Sequence, residues 1–338
     1  MADPGTDEVV AAEDWFVAHG LPYFVDHHRA AVAAGLLPAR VAAVVAVAVV
    51  LGSAAGVAVG VPLGVAAGLG AGLTAGGLVL AGYAFVALRA GLILPWALRR
   101  TFRSLGLLLP LVTRALPLLL LFVTFLFINA EVWQVASSLD GGVLWVTALL
   151  FGGFAVGFLL TRLPEELDNV DDEVESAQLL EACAGTPLQP AAEHVAARVD
   201  RVGAVDAEVT GLQKANLVLV LLVTQTVQVL LLAAAVFAFF VVFGVVAMKP
   251  EVVGTWTTTG EVHPLSGLPG DLLGRTLSVE LVRVSVFLAS FSALYFTVYA
   301  VTDDLYRRQF FATVTHELER AVSARVAYRS LRDGAPPV

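Results

Sequence analysis

The chain has 338 residues, of which 58% are hydrophobic and 14% are charged, and its mean hydropathy is +0.83. Soluble domains carry about 25% charged and about 45–50% apolar residues. The composition therefore excludes an ordinary soluble enzyme, a disordered chain and a nucleic-acid-binding protein, and it predicts the lipid bilayer as the main partner. The net charge of −9 does not set the orientation, because the positions of Lys and Arg do that.

Residues 1–40 are predicted to be a cytoplasmic segment with an interfacial helix from Asp7 to His19, whose Trp15 and Phe16 would rest on the lipid surface. Six apolar stretches follow, and each approaches or exceeds the roughly 20 residues that cross a bilayer. The predicted spans are residues 41–61, 65–88, 116–135, 143–160, 217–248 and 279–301.

Positive charge is distributed very unevenly between the segments that join these spans. Of the 20 Lys and Arg residues, all but Lys249, Arg275 and Arg283 lie in the segments that share one side with the N-terminus. Such a bias marks the cytoplasmic side. The sequence thus predicts an all-α, polytopic transmembrane helical bundle of six spans in the plasma membrane, with the N- and C-termini cytoplasmic.

Three parts of the chain connect or follow the spans. Between helices 1–4 (residues 41–160) and helices 5–6 (residues 217–301) lies an acidic, helical cytoplasmic loop, 161–216, which holds the single cysteine. The external loop 249–277 is turn-rich, with a hairpin expected at 252–258. The tail 302–338 is predicted to be a cytoplasmic helix, since apolar residues at spacings of three and four form one stripe. That stripe comprises Phe311, Val314, Leu318, Val322 and Val326.

Glycine recurs every fourth residue across the first two spans. On a helix this spacing gives a stripe without side chains, along which a second backbone can approach closely. The pattern favours packing of two helices hinged near Pro62, on each other or on a second protomer, over a gating surface. The helix-packing glycines, here called the glycine ladder, are Gly52, Gly56, Gly60, Gly64, Gly68, Gly72 and Gly76.

Polar side chains occur within two of the predicted spans. Gln225 and Gln228 share one face of the fifth span, and Thr224 lies one turn before Gln228. Asn129 and Glu131 lie late in the third span. Buried amides either bridge helices or line a water-filled cavity, and both interpretations stay open for these residues.

Three charged residues fall near the predicted outer ends of spans. Glu131 belongs to the third span, and Glu280 and Arg283 lie one turn apart at the start of the sixth. Ionisable groups within spans are by default candidates for function. We predict that the three form one outer-side charge network.

Motifs of known chemistry are absent from the sequence. It has no Gly-x4-Gly-Lys-Ser/Thr, His-Glu-x2-His, Gly-x-Ser-x-Gly or Cys-x2-Cys pattern. We therefore expect no enzymatic activity, no cofactor, no metal site and no catalytic residue.

Three sequence strings stand out as a group: LPYFV at 21–25, FINAEVWQV at 127–135 and VTDDLYRRQFF at 301–311. They resemble strings in a family of multi-pass bacterial membrane proteins from high-GC genomes to which no activity is assigned. The resemblance implies an integral membrane protein, and it transfers no functional residues.

Two functions fit these observations. The first is a channel or permease-like protein for ions or small solutes, built as a homo-oligomer and supported by the glycine ladder and the polar residues at membrane depth. The alternative is a membrane-anchored scaffold or regulator that binds a cytoplasmic protein partner through the acidic loop and the tail helix. A lipid-modifying enzyme ranks last, since no set of catalytic groups appears.

Overall fold

The computed structural model describes residues 4–168, 173–202, 205–207, 209–258, 260–265, 277–302 and 304–333. The elements in chain order are α1 (Pro4–Ala18), a 3-10 helix (Pro22–Phe24), α2 (Asp26–Gly35), α3 (Pro38–Leu63), α4 (Val65–Ala87), α5 (Ala90–Phe127), α6 (Ala130–Ser138), α7 (Gly141–Asp168), β1 (Glu173–Val174), α8 (Ser176–Cys183), α9 (Gln189–Val202), β2 (Val205–Asp206), α10 (Gly211–Ala247), α11 (Pro250–Trp256), α12 (Val279–Thr302) and α13 (Asp304–Asp333). The two-residue strands β1 and β2 pair antiparallel.

Five of the described helices, α3, α4, α7, α10 and α12, are long and apolar enough to cross a bilayer. The end of α5 and α6 are bent by 77° relative to each other at a short break. If these two segments act as one span, they form a sixth crossing. The all-α helical bundle predicted from the sequence is confirmed. The continuous third span predicted at 116–135 is wrong, since the helix breaks between Phe127 and Ala130.

The centre of the bundle is formed by α10 and α12, with α7, α5 and α6 packed around them. Near one end, Gly244 of α10 lies against Leu281 of α12. The contact is so close that a Cβ built on the glycine would meet the leucine side chain at 2.3 Å. The two helices run antiparallel, so residues at the same level can be found by counting away from this contact along each helix. On that count, Thr302 at the end of α12 lies level with Val223 of α10. The first turns of α10 therefore extend beyond the end of the sixth span.

The helices α3 and α4 form a hairpin at one side of this centre. They are joined by Gly64, which has a φ of +95° that favours glycine. The hairpin meets the bundle chiefly through α4, which packs on α7. There Gly70 and Gly142 approach so closely that a Cβ on either would lie within 3.0 Å of the other's Cα. This second glycine contact lies outside the glycine ladder.

The segments outside the spans assemble into a second body, here called the extramembrane unit: α1, the 3-10 helix, α2, α8, α9 and α13. Phe16 of α1 is fully buried in it, stacked on Phe24 and edge-on to Tyr328 of α13. The predicted position of Phe16 at the lipid surface is therefore wrong, because the tail helix covers it. The Tyr328 hydroxyl donates to Glu13 at 2.7 Å, and burial followed by that carboxylate raises the pKa of Tyr328.

The extramembrane unit is fastened to the start of α10. The buried Asn216 side chain accepts a hydrogen bond from the Tyr23 backbone N–H at 2.8 Å and donates to the Gly20 carbonyl at 3.0 Å. The Tyr23 hydroxyl donates to the Leu88 carbonyl at 2.6 Å, and burial raises the pKa of Tyr23 to about 12. One buried amide thus ties two backbone groups of the α1–α2 connection to a membrane helix.

The tail and the acidic loop also join this unit. Leu318, Val322 and Val326, three members of the predicted tail stripe, are buried within it, while the side chains of Phe311 and Val314 lie outside the described residues. The predicted hairpin at 252–258 is wrong, because α11 occupies 250–256 and its carbonyls are paired locally. Residues 266–276 of the predicted external loop lie outside the described residues.

Candidate functional site

A small cavity, lined mostly by apolar side chains with some polar ones, lies where α1, α5, α10 and α13 meet. Its volume is about 30 Å³, measured as the space open to the centres of water-sized spheres. One water needs roughly 10–15 Å³ on that measure, so the cavity holds about two waters or one small ion. Its polar lining residues are His19, Arg100, Thr101, Thr224, Gln228 and Arg320.

On the α10 side the cavity straddles the level at which the sixth span ends, because Leu217, Val220 and Leu221 also line it. Thr224 and Gln228 lie one turn apart on α10, just inside the level of Thr302 at the end of the sixth span. The Thr224 hydroxyl donates to the Val220 carbonyl at 2.8 Å, so it presents only acceptor lone pairs to the cavity. Both Thr224 and Gln228 are buried. Thr224 and Gln228, two of the residues predicted to share a polar cavity, both line this one.

Two oxygen atoms of residues that line the cavity have no hydrogen-bond partner among the described residues, and each has almost no accessible surface. They are the Gln228 Oε1 atom and the Thr101 Oγ1 atom, and the two side chains are 8% and 1% exposed. More than nine in ten buried polar groups in proteins are hydrogen-bonded, and an unpaired one indicates a bound water or ion or a functional constraint. These two oxygens are therefore unsatisfied polar groups beside the cavity.

The opposite wall carries positive charge. Arg320 of α13 lies over the Trp15 ring at 5.4 Å, and its Nε donates to the Ala182 carbonyl at 3.3 Å. The His19 ring stacks on the same Trp15 ring at 4.1 Å, with its Nδ1 atom 2.7 Å from the Trp15 carbonyl. Since a carbonyl only accepts, Nδ1 carries a hydrogen. These contacts hold the His19 and Arg320 side chains against the same Trp15 ring.

The other residues predicted to share this cavity lie elsewhere. Gln225 is fully buried but is not among the residues that line it. Asn129 caps α6, with its Oδ1 atom accepting the Glu131 backbone N–H at 2.8 Å, and the Glu131 side chain is exposed. Of the five predicted residues, only Thr224 and Gln228 are brought together here.

The predicted charge network of Glu131, Glu280 and Arg283 is wrong in its partners. Glu280 is buried, and its two oxygens accept hydrogen bonds from the His263 ring Nδ1 at 2.8 Å and backbone N–H at 3.1 Å. Arg283 instead donates to the Ser137 carbonyl at 2.8 Å. Among the described contacts, none joins the exposed Glu131 side chain to either of them.

The break itself is stabilised by side chains that satisfy helix-end carbonyls. The Trp133 indole N–H donates to the Phe127 carbonyl at 2.6 Å, and Arg283 serves the Ser137 carbonyl at the far end of α6. Within a bilayer, an interrupted helix is tolerated where its backbone is satisfied by the protein. The FINAEVWQV string therefore encodes a bent helix pair whose break is satisfied by protein groups, as a broken span or a re-entrant segment requires.

The glycine ladder joins α3 to α4 through their backbones. A Cβ on Gly52 would lie 2.8 Å from the Gly72 carbonyl oxygen, and a Cβ on Gly68 would lie 2.6 Å from the Gly56 oxygen and from the Gly60 Cα. Gly76 faces the carbonyl of Ala48 in the same way, at 3.1 Å. Gly64 differs from the others. Its Cβ would meet nothing within 4 Å, so it serves the turn rather than the helix contact.

The described residues contain no group of three or more His, Cys, Asp or Glu side chains placed to hold a metal ion. Fold and site together define a multi-pass, all-α membrane protein with a small cavity at one edge of its spans. No known protein family, curated protein or solved structure matches the chain.

Proposed function

We propose that the protein is a channel or permease-like protein of the plasma membrane that moves ions or small solutes. The observation that supports the proposal is the cavity at Thr224 and Gln228, beside which two buried oxygens have no hydrogen-bond partner among the described residues. A purely structural pair of amides and hydroxyls would be satisfied by neighbouring helices. In this proposal the extramembrane unit lies in the cytoplasm, as the distribution of positive charge favours.

Beyond the cavity, the buried face of α10 carries apolar side chains. Leu232, Val236 and Phe240 follow Gln228 at helical spacing and are all buried, and Phe240 stacks on Phe127 at 4.8 Å. The described conformation is therefore a closed one in the proposed cycle. Movement of a solute beyond Gln228 requires α10 and α5 to separate. The break after Phe127 provides the hinge for this, since hinges are residues at element ends that absorb backbone change.

A flux assay in vesicles tests this proposal. Purified protein is reconstituted in phosphatidylcholine vesicles, and the fluxes of K⁺, Na⁺, chloride and phosphate are compared with those of protein-free vesicles. We expect flux of at least one ion and a severalfold loss in Gln228→Leu, which removes the cavity amide but keeps the helix. Gln134→Leu, the same change at an exposed amide of α6, is the matched control. Wild-type fluxes equal to those of empty vesicles would reject the proposal.

A membrane-anchored scaffold or regulator is the second candidate, favoured by one observation. Glu181, Glu193 and Asp200 of α8 and α9 are exposed on the extramembrane unit. The apolar tail stripe is occupied within the unit, so this version rests on charge and predicts a basic cytoplasmic protein partner. Its test is salt-dependent binding of a lysine-rich peptide, abolished when the three acids are replaced by Gln or Asn. Binding unaffected by those replacements would remove it.

A further inference from the structure

We infer that four arginines at the bilayer surface, here called the arginine belt, bind the headgroups of anionic phospholipids in the leaflet next to the extramembrane unit. The belt consists of Arg40, Arg89, Arg99 and Arg103. The inference goes beyond the proposed function and does not depend on it, since a transport protein and a scaffold can both hold lipid. It stands on the exposure of the four side chains, their level in the bilayer, the apolar side chains beside them and the charge around them.

The four guanidinium groups of the belt face outwards. All four arginines are exposed, and none of them has a hydrogen bond or an ion pair with another described residue. Two arginines of the extramembrane unit differ in this respect. Arg320 lies over the Trp15 ring, and Arg332 is paired with Asp26. The belt arginines therefore keep their hydrogen-bond donors available for a ligand from outside the chain.

Arg40 and Arg89 lie at the same end of the α3–α4 hairpin. Arg40 is in the first turn of α3, and Arg89 comes just after the end of α4. In the glycine ladder Gly52 lies against Gly72. Counting from Gly52 back to Arg40, and equally far onwards from Gly72, brings Arg40 level with Ala84, near the end of α4. Every residue between the two arginines is uncharged, so the pair marks the level at which the hairpin leaves the hydrocarbon.

The start of α5 lies at the level of the headgroups. Trp96 packs against Gly20, where a Cβ would meet the ring at 3.0 Å, and the Gly20 carbonyl accepts a hydrogen bond from Asn216 of α10. Asn216 precedes Val223, which is level with the end of α12, by about 10 Å along α10. The headgroup layer of a leaflet extends about 5–8 Å beyond the hydrocarbon. The two belt arginines of α5 follow Trp96 on the way into the bilayer, so they lie within or next to this layer.

Exposed apolar side chains lie beside the belt. Phe102 is 54% exposed and shares the outer side of α5 with Arg99 and Arg103, which are one turn apart. Leu36 and Leu37, just before α3, are 42% and 49% exposed. A surface that combines basic and apolar groups at the headgroup level contacts phosphates and acyl chains together. A lipid therefore fits it better than a soluble acidic partner does.

The sequence supplies no negative charge in this part of the chain. Between Asp26 and Glu131 there is no Asp or Glu, although the whole chain has a net charge of −9. The arginines in that stretch are Arg29, Arg40, Arg89, Arg99, Arg100, Arg103 and Arg114. Burial, followed by the charges of His27 and Arg89, lowers the pKa of His28. A lipid phosphodiester would supply the missing negative charge, and guanidinium groups bind phosphate oxygens through strong, paired hydrogen bonds.

Native mass spectrometry of the full-length protein tests the inference. The protein in detergent is offered an equimolar mixture of phosphatidylglycerol, which is anionic, and phosphatidylcholine, which is zwitterionic, with acyl chains of distinguishable mass. We expect the wild type to retain phosphatidylglycerol severalfold over phosphatidylcholine, and this preference to weaken as the salt concentration rises. Equal retention of the two lipids by the wild type would overturn the inference.

Two double variants test whether the belt causes this preference. Arg99→Gln with Arg103→Gln, and separately Arg40→Gln with Arg89→Gln, should each lower the preference by about fivefold for every arginine that contacts the headgroup. Both variants should unfold at the wild-type temperature in lipid-free detergent, because the replaced side chains have no partner among the described residues. A wild-type preference in both double variants would overturn the inference.

A matched control separates the belt from the net charge of the protein. Arg198→Gln with Arg329→Gln removes the same charge at exposed positions of α9 and α13 in the extramembrane unit. This control should retain the wild-type preference for phosphatidylglycerol. A loss in the control as large as in the belt variants would show that net charge alone sets the preference, and it would overturn the belt as a lipid site.

Discussion

Replacing Gly68 by alanine tests the backbone contact between α3 and α4 with the smallest possible side chain. The new methyl group would lie 2.6 Å from both the Gly56 carbonyl oxygen and the Gly60 Cα, distances that force the two helices apart. Overpacking of this kind costs about 1–3 kcal/mol. Gly77→Ala is the matched control on the same helix, because a Cβ there meets nothing within 4 Å.

Both variants gain the same helix propensity, about 1 kcal/mol for alanine over glycine, so the difference between them isolates the clash. The assay is amide hydrogen exchange of the α3–α4 hairpin in detergent, which reports local opening. A cost of about 1–3 kcal/mol corresponds to exchange that is about 5- to 150-fold faster in Gly68→Ala than in Gly77→Ala. Equal exchange rates in the two variants would refute close backbone packing at Gly68.

Three other predictions concern parts of the chain outside the hairpin. Cys183 is fully buried, and burial raises its pKa to about 11. Labelling of the native protein by maleimide should therefore be slow, should become about tenfold faster per pH unit below that pKa, and should become fast on unfolding. Rapid labelling of the native protein would contradict the burial of Cys183. Asn216→Ala should lower the free energy of unfolding by about 1–3 kcal/mol because it leaves the Tyr23 amide unpaired, and an unchanged denaturation midpoint would count against this anchor. A reporter active only in the cytoplasm should work when fused after Asp168 and fail after Gly260, and the reverse result would invert the orientation.

Local sequence patterns predict most of the architecture. Apolar runs alone predict the spans, and the four-residue spacing of glycine predicts which face of each hairpin helix is bare. The break after Phe127 escaped prediction because the run around it is as apolar as any continuous span. Its stability comes from the Trp133 indole and from Arg283, which arrives from a distant helix. Such a partner is invisible to periodicity.

In the candidate site, too, the sequence predicts some of the residues and not others. Thr224 and Gln228 could be singled out because polar residues one turn apart are conspicuous in an apolar helix. Arg100 and Arg320 appeared in the sequence only as markers of orientation, and nothing local links them to α10. They meet the polar face because the tail and α5 converge on it, so the positive sign of the cavity is a tertiary property.

The hairpin of α3 and α4 has a consequence for how the protein is made. No residue between Arg40 and Arg89 is charged, and the ladder contacts join only these two neighbouring helices. The pair therefore contains everything that its own packing needs. We expect it to enter the bilayer and close during synthesis, before the ribosome has finished the helices of the bundle centre. It would then offer α7 a preassembled surface, at Gly70, on which to dock.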